Sequence, residues 1–306
     1  MPNRRQFLQH SSLLAAVAAL APLWPNLAFA APQLLSRKIP ASGEALPVIG
    51  LGTSQTFNVD VADETLRPLL EVMQAFVDGG ARVIDTAPSY GDAERVTGEL
   101  VKLVKARDSV FLATKVSSTG RDAGLRQIES SFKALQTDRI DLIQVHNLQD
   151  TSTQLKLLRE LKEQGRIRYI GITHYVESAH DDLLRVLEKE KVDFVQVNYS
   201  IGARNAEKRL LPYCADHGIA TLINRTYEAG RLFAKVKGKA LPDWASAELD
   251  ASSWAQLMLK FVLANPAVTT VIPATSQPRY VLDNLLAGQG RLPDAQQLQR
   301  IADEFA

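Results

Sequence analysis

Between residues 48 and 272 the sequence keeps alternating between two kinds of segment, and this alternation narrows the possible folds more than any other feature. Short apolar runs recur at residues 48–51, 82–84, 110–113, 140–145, 169–172, 194–197, 221–223 and 268–272. Amphipathic stretches lie between them. Leu66, Leu69, Leu70, Met73 and Phe76 fall at spacings of three and four, as do Leu155, Leu158 and Leu161, the pattern of helices with one buried face. Gly79, Gly80 and Gly165 stand where such helices should stop. Strands that are apolar at nearly every position predict a parallel sheet covered on its outer face by helices. Eight such units, with no Gly-x-Gly-x-x-Gly after the first strand, favour a closed (β/α)8 barrel over a doubly wound sheet. Residues 36–46, with Pro40 and Gly43, predict a short hairpin plugging the barrel bottom.

The chain has 306 residues, which suits one barrel of about 250 residues with additions. After Ala31 no linker or low-complexity tract interrupts it, so residues 31–306 read as one domain. Lys plus Arg number 35 against 34 Asp plus Glu, a balance that argues against a nucleic-acid partner. The single cysteine, Cys214, excludes an intramolecular disulfide and a Cys-rich zinc site, and its apolar surroundings (Leu210, Leu211) read as inert core. No metal is expected.

Residues 1–30 differ in composition from the rest. Arg4 and Arg5 are the only charges there, and they precede Phe7, Leu8 and an apolar run ending near Trp24 and Pro25. Ala28-Phe29-Ala30 offers small residues at the positions a signal peptidase reads. The paired arginines resemble a twin-arginine export signal, which predicts a periplasmic protein that crosses the membrane already folded. An uncleaved leader acting as a membrane anchor is the alternative. Cleavage after Ala30 leaves 33 basic and 34 acidic residues, a net charge of −1.

In a (β/α)8 barrel the reactive groups gather where strands end, at the C-terminal rim. Asp85 follows Val83-Ile84, Tyr90 comes five residues later, Lys115 closes the third strand and His146 the fourth. A phenol, an ammonium, a carboxylate and an imidazole meeting there suit carbonyl reduction. Adding hydride to a carbonyl creates an alkoxide that needs a proton donor and nearby positive charge. Lys115 would favour the Tyr90 phenolate, Asp85 would keep Lys115 charged, and His146 could orient the carbonyl oxygen. Taken singly, Asp85 and Lys115 also read as a structural ion pair, Tyr90 as a half-buried aromatic and His146 as a core histidine.

With these residues in order, the chain resembles the aldo-keto reductase family over about residues 36–290. Gly50-Leu51-Gly52-Thr53, Asp85-Thr86-Ala87-Pro88-Ser89-Tyr90-Gly91 and Ile272-Pro273 carry the likeness, and the family's catalytic tetrad falls on Asp85, Tyr90, Lys115 and His146. The resemblance implies reduction of an aldehyde or ketone to an alcohol, with Tyr90 as general acid. It implies a nicotinamide cofactor, NADP(H) in preference to NAD(H), and a small carbonyl substrate as partner.

By the same resemblance Gly52, Thr53 and Asp85 flank the nicotinamide and Gln196 holds its carboxamide. Thr173-His174 replaces the usual Ser-Asn pair, and Asn224-Arg225-Thr226 stands where Tyr-Ser-Pro is common, which removes the aromatic platform. Thr275, Ser276, Arg279 and Asn284 keep the outline of the phosphate and adenine segment. There Ala274 stands for a common lysine, and Arg279 would take the 2′-phosphate. His174 reads equally as a rim residue packed on Tyr175, and Arg225 as a binder of an anionic substrate or the partner of an acidic neighbour. Trp244 and Trp254 are expected to pack down the segment covering the site. The departures also allow an exported protein that binds or senses nicotinamide with little turnover, or one that needs a redox partner.

Overall fold

The computed structural model describes residues 33–306, so the leader and its cleavage site lie outside the described residues. A hairpin of β1 (Ser36–Lys38) and β2 (Ala45–Pro47) comes first. Eight strands then form one parallel sheet in sequence order: β3 (Leu51–Gly52), β4 (Val83–Asp85), β5 (Phe111–Val116), β6 (Ile140–His146), β7 (Ile167–Thr173), β8 (Phe194–Asn198), β9 (Ala220–Asn224) and β10 (Thr270–Val271). The ends join into a barrel. Ile49 bridges Val271, Gly52 bridges Ala274, and Gly50 N donates to Val271 O at 2.7 Å.

The first and last barrel strands are shorter than residues 48–51 and 268–272 predicted. Both lie at this seam, where Pro273 lacks an N–H to continue the ladder. The short runs at 82–84 and 221–223 are also barrel strands in the structure.

Helices α1 (Asp63–Asp78), α2 (Ala93–Leu103), α3 (Arg121–Ala134), α4 (Thr151–Glu163), α5 (His180–Leu187) and α6 (Leu210–Asp216) follow successive strands. Short α7 (Arg231–Lys235) and α8 (Asp243–Leu249) lead to α9 (Trp254–Leu263), and α10 (Pro278–Ala287) and α11 (Ala295–Glu304) end the chain. Leu66, Leu69, Met73 and Phe76 of α1 are buried, as are Leu155, Leu158 and Leu161 of α4, which is the burial their spacing predicts. At the end of α1 the left-handed turn falls on Gly80 (φ 80°) and not on Gly79, and α4 ends before Gly165 (φ 73°).

Inside the barrel a second core holds Val83, Phe111, Ala113, Leu142, Tyr169, Phe194, Ala220 and Leu222. The hairpin's Ile39 and Leu46 belong to it, so the hairpin closes the bottom. Phe111, Tyr169 and Phe194 pack ring against ring at 5.5–5.9 Å. The Tyr169 hydroxyl donates to Ser42 Oγ at 2.7 Å, tying the hairpin turn to β7. The period of two along each strand does the rest. The face that starts with Phe111 and Ala113 ends with Lys115, and Leu142 is followed by Gln144 and His146. Tyr169 leads to Thr173, Phe194 to Gln196, and Leu222 to Asn224. One apolar floor thus carries a ring of polar groups above it.

Candidate active site

Asp85 ends β4, and Lys115 lies on the next strand, two residues past Ala113, which pairs with Asp85. Lys115 Nζ donates to Asp85 Oδ2 at 2.8 Å and to Thr86 O at 2.7 Å. Both side chains are buried. Burial works against the Lys115 charge, but the Asp85 carboxylate and the Tyr90 hydroxyl outweigh it and raise its pKa above the ordinary lysine value. Asp85 Oδ1 accepts from Gln196 Nε2 at 2.7 Å and from Gln144 Nε2 at 3.4 Å. The carboxylate is therefore held from three strands.

Tyr90 sits in the turn after β4, half-buried, with Lys115 Nζ 5.0 Å from its ring centroid. His146 meets the same ring edge-on, at 6.0 Å between centroids and 81° between planes. Burial, the Lys115 charge and His174 push the His146 pKa down to about 4, so its imidazole is neutral near pH 7. The four residues that sequence placed at strand ends meet at one mouth.

That mouth opens into a cavity of about 620 Å³ lined by Gly52, Thr53, Asp85, Tyr90, His146, Thr173, Gln196, Asn224 and Arg225, among others. Lys115 lies beneath its floor rather than on its wall. Gly52 is required by close approach, since a Cβ there would come within 2.7 Å of Ile272 O. Thr53 N and Oγ1 both donate to Asp85 O at 3.0 Å. Gln196 Oε1 accepts from Thr173 Oγ1 at 3.2 Å and Asn224 Nδ2 at 3.4 Å, so much of its amide is spent within the protein. Asn224 Oδ1 is buried on the cavity wall without a donor. An acceptor left open there fits a ligand that carries an N–H, as the carboxamide of nicotinamide does.

Several sequence-predicted contacts lie outside this cavity. The His174 ring stacks on Tyr175 at 5.4 Å and its Nδ1 accepts from Tyr175 N at 3.0 Å, so the rim reading holds for its side chain. Only its backbone supports the site, through His174 N to Gln196 O at 3.0 Å and Asn224 Nδ2 to His174 O at 3.2 Å. Thr275 and Ser276 lie beyond Ala274, which lines the cavity, and Thr275 Oγ1 accepts from Gln277 N at 3.1 Å. Arg279 is exposed, 4.7 Å over the Tyr280 ring. Asn284 is buried, and its Oδ1 accepts from the Tyr227 hydroxyl at 2.6 Å, while its Nδ2 donates to no described residue.

Neither Trp244 nor Trp254 lines the cavity: Arg300 lies 4.3 Å over Trp244, and Trp254 meets Phe305 edge-on at 5.7 Å. Sequence reasoning missed Gln144, Tyr175, Tyr227 and Phe233. The last three give the cavity an aromatic wall despite Asn224. Gln144 shares the inward face of β6 with His146, so the period of two could have found it; the loop aromatics carry no such signal. Among the described residues no group of three or more His, Cys, Asp or Glu is placed to hold a metal, and no helix is long and apolar enough to cross a membrane.

The sequence model for the aldo/keto reductase family matches residues 48–303. The aldo-keto reductase YhdN of Bacillus subtilis is 32% identical over 203 residues, a stretch covering 61% of this chain and 60% of that protein. The methylglyoxal reductase YeaE of Escherichia coli is 27% identical over 270 residues, 85% of this chain and 92% of that protein. An aldo/keto reductase from Klebsiella pneumoniae, solved in complex with NADP and acetate, superposes with a TM-score of 0.73 at 26% identity, over 86% of this chain and 93% of that one.

Proposed function

The chain belongs to the aldo/keto reductase family, and from that premise we propose that it reduces an aldehyde or ketone to an alcohol with a nicotinamide cofactor. One observation carries the reading: a buried Lys115–Asp85 pair at 2.8 Å lies under Tyr90, with neutral His146 across the same mouth. When bound, NADP(H) supplies the hydride. The Tyr90 hydroxyl gives its proton to the carbonyl oxygen as charge develops there. The Lys115 ammonium, held charged by Asp85, offsets the negative charge left on the phenol oxygen. His146, neutral with a pKa of about 4, donates an N–H hydrogen bond that orients the carbonyl without competing as the acid.

Gly52, Thr53, Thr173, Gln196 and Asn224 are the residues we assign to the nicotinamide end, and the open Asn224 Oδ1 supports it. Thr275, Ser276, the free Nδ2 of Asn284 and exposed Arg279 are assigned to the adenine end, through the 2′-phosphate that distinguishes NADPH from NADH. Arg279 has no carboxylate partner among the described residues, which supports that role. Export through the twin-arginine route, with cofactor loaded before transit, is part of the same proposal and rests on Arg4-Arg5. Titrating the purified protein with NADPH and NADH, then adding small aldehydes, tests it. Tight NADPH binding with aldehyde-dependent oxidation is expected, and absence of either removes the reading. Finding the protein only in the cytoplasmic fraction removes the export proposal alone.

A further inference from the structure

At neutral pH the cavity wall carries only two formal charges, Asp85 and Arg225, because His146 is neutral. Asp85 is already matched by Lys115 at 2.8 Å. Arg225 is therefore the uncompensated charge, and it is positive. Four arginines elsewhere are matched: Arg159, Arg166, Arg168 and Arg300 each meet a carboxylate at 2.6–2.9 Å. No N–H of the Arg225 guanidinium finds an acceptor among the described residues. Its contact is the Tyr175 ring, 4.5 Å from Cζ, and Tyr175 also lines the cavity.

The loop carrying Arg225 is held firmly. The backbone of Arg225, Glu228 and Ala229 is left-handed, at φ 54°, 50° and 55°, a conformation that costs energy for residues other than glycine. Ser200 Oγ donates to Glu228 Oε1 at 2.7 Å, and the Tyr227 hydroxyl donates to Asn284 at 2.6 Å, so the loop is pinned on two sides. An exposed guanidinium with open donors, carried on a pinned loop and laid over Tyr175 at the wall of a cavity of net positive charge, suits an oxyanion in a two-pronged contact.

Resting on the reductase reading above, we propose that Arg225 reads a carboxylate on the substrate, so that the carbonyl compounds this cavity selects are acids. The same chemistry could come from the cofactor's pyrophosphate, and the experiment separates the two sources. Succinate semialdehyde and pentanal, an acid and a neutral aldehyde of similar length, are compared with NADPH by steady-state kinetics in the full chain and in Arg225→Gln and Arg225→Lys. The Kd for NADPH is read in parallel by fluorescence.

The expected native preference for the acid is about tenfold in kcat/KM and shrinks with added salt. In Arg225→Gln that ratio falls to near one, mainly through a higher KM for the acid, and Arg225→Lys recovers part of it. Equal or better use of pentanal by the native protein overturns the inference and leaves the reductase reading standing. So does a loss of NADPH affinity in Arg225→Gln as large as the loss in KM, which would assign the guanidinium to the pyrophosphate. No turnover of either aldehyde with NADPH or NADH overturns the reductase reading, and this inference with it.

Discussion

Lys115 Nζ stands 2.8 Å from Asp85 Oδ2 with both side chains out of solvent, so neither charge has water to fall back on. A buried pair of this kind adds little net stability when whole, but removing one member strands the other. Its value here is the placement of a fixed positive charge beneath the Tyr90 ring.

Asp85→Asn therefore should destabilise the fold by about 3 kcal/mol or more, because Lys115 keeps a buried charge without its partner. Urea unfolding measures this. The double variant Asp85→Asn/Lys115→Met should lose clearly less than the sum of the two single losses, since the stranded charge is gone. Additive losses would mean that the pair is not coupled.

His146 should titrate near pH 4 rather than near 6.5, as an NMR titration of its ring signals would report. Its folded pKa lies below the unfolded value, so the unfolded chain binds more protons between the two. Stability should accordingly fall as pH drops through that window, and His146→Gln should flatten part of the slope. A midpoint at 6 or above contradicts the neutral hydrogen-bond role.

Lys260 on α9 gives a second pH test far from the site. It is fully buried and donates to Gln289 O at 2.6 Å and Arg291 O at 2.9 Å, and burial lowers its pKa to about 8. The ordinary value is higher, so the unfolded chain binds more protons between the two. The Lys260 contribution to stability should therefore rise from pH ~8 towards ~10. Comparing urea midpoints of native protein and Lys260→Met at both ends of that range isolates this part. Parallel behaviour of the two proteins would remove it.

How much of this was legible in the sequence depends on whether a residue lies on a strand. Lys115, His146, Gln196 and Asn224 sit on inward faces that begin with apolar residues and end polar, so a period of two exposes them. Tyr90 was legible only through its distance from Asp85. Tyr175, Tyr227 and Phe233 belong to loops, where no period links a residue to a direction, and only the folded chain brings them to the cavity. The local partners of His174 and Asn284 were hidden for a related reason. A sequence shows which polar atoms exist but not which a neighbour has taken, and Tyr175 N and the Tyr227 hydroxyl had taken theirs. The seam strands came out short because Pro273 cannot donate to the ladder.

The barrel bottom should respond independently of the site. Ile39 is fully buried in the inner core beside Leu46, so Ile39→Ala should cost about 2–5 kcal/mol through the cavity it leaves. Thermal unfolding reads the loss. A change within experimental error would mean that the hairpin does not plug the barrel.

The most direct test of the account is NADPH oxidation by the native protein and by Tyr90→Phe over a panel of small aldehydes, with the Kd for NADPH measured alongside. The account predicts aldehyde-dependent turnover in the native protein, a fall in kcat of about a hundredfold or more in the variant, and NADPH still bound. Turnover that survives loss of the Tyr90 hydroxyl, or a native protein that binds NADPH and reduces nothing, would contradict it.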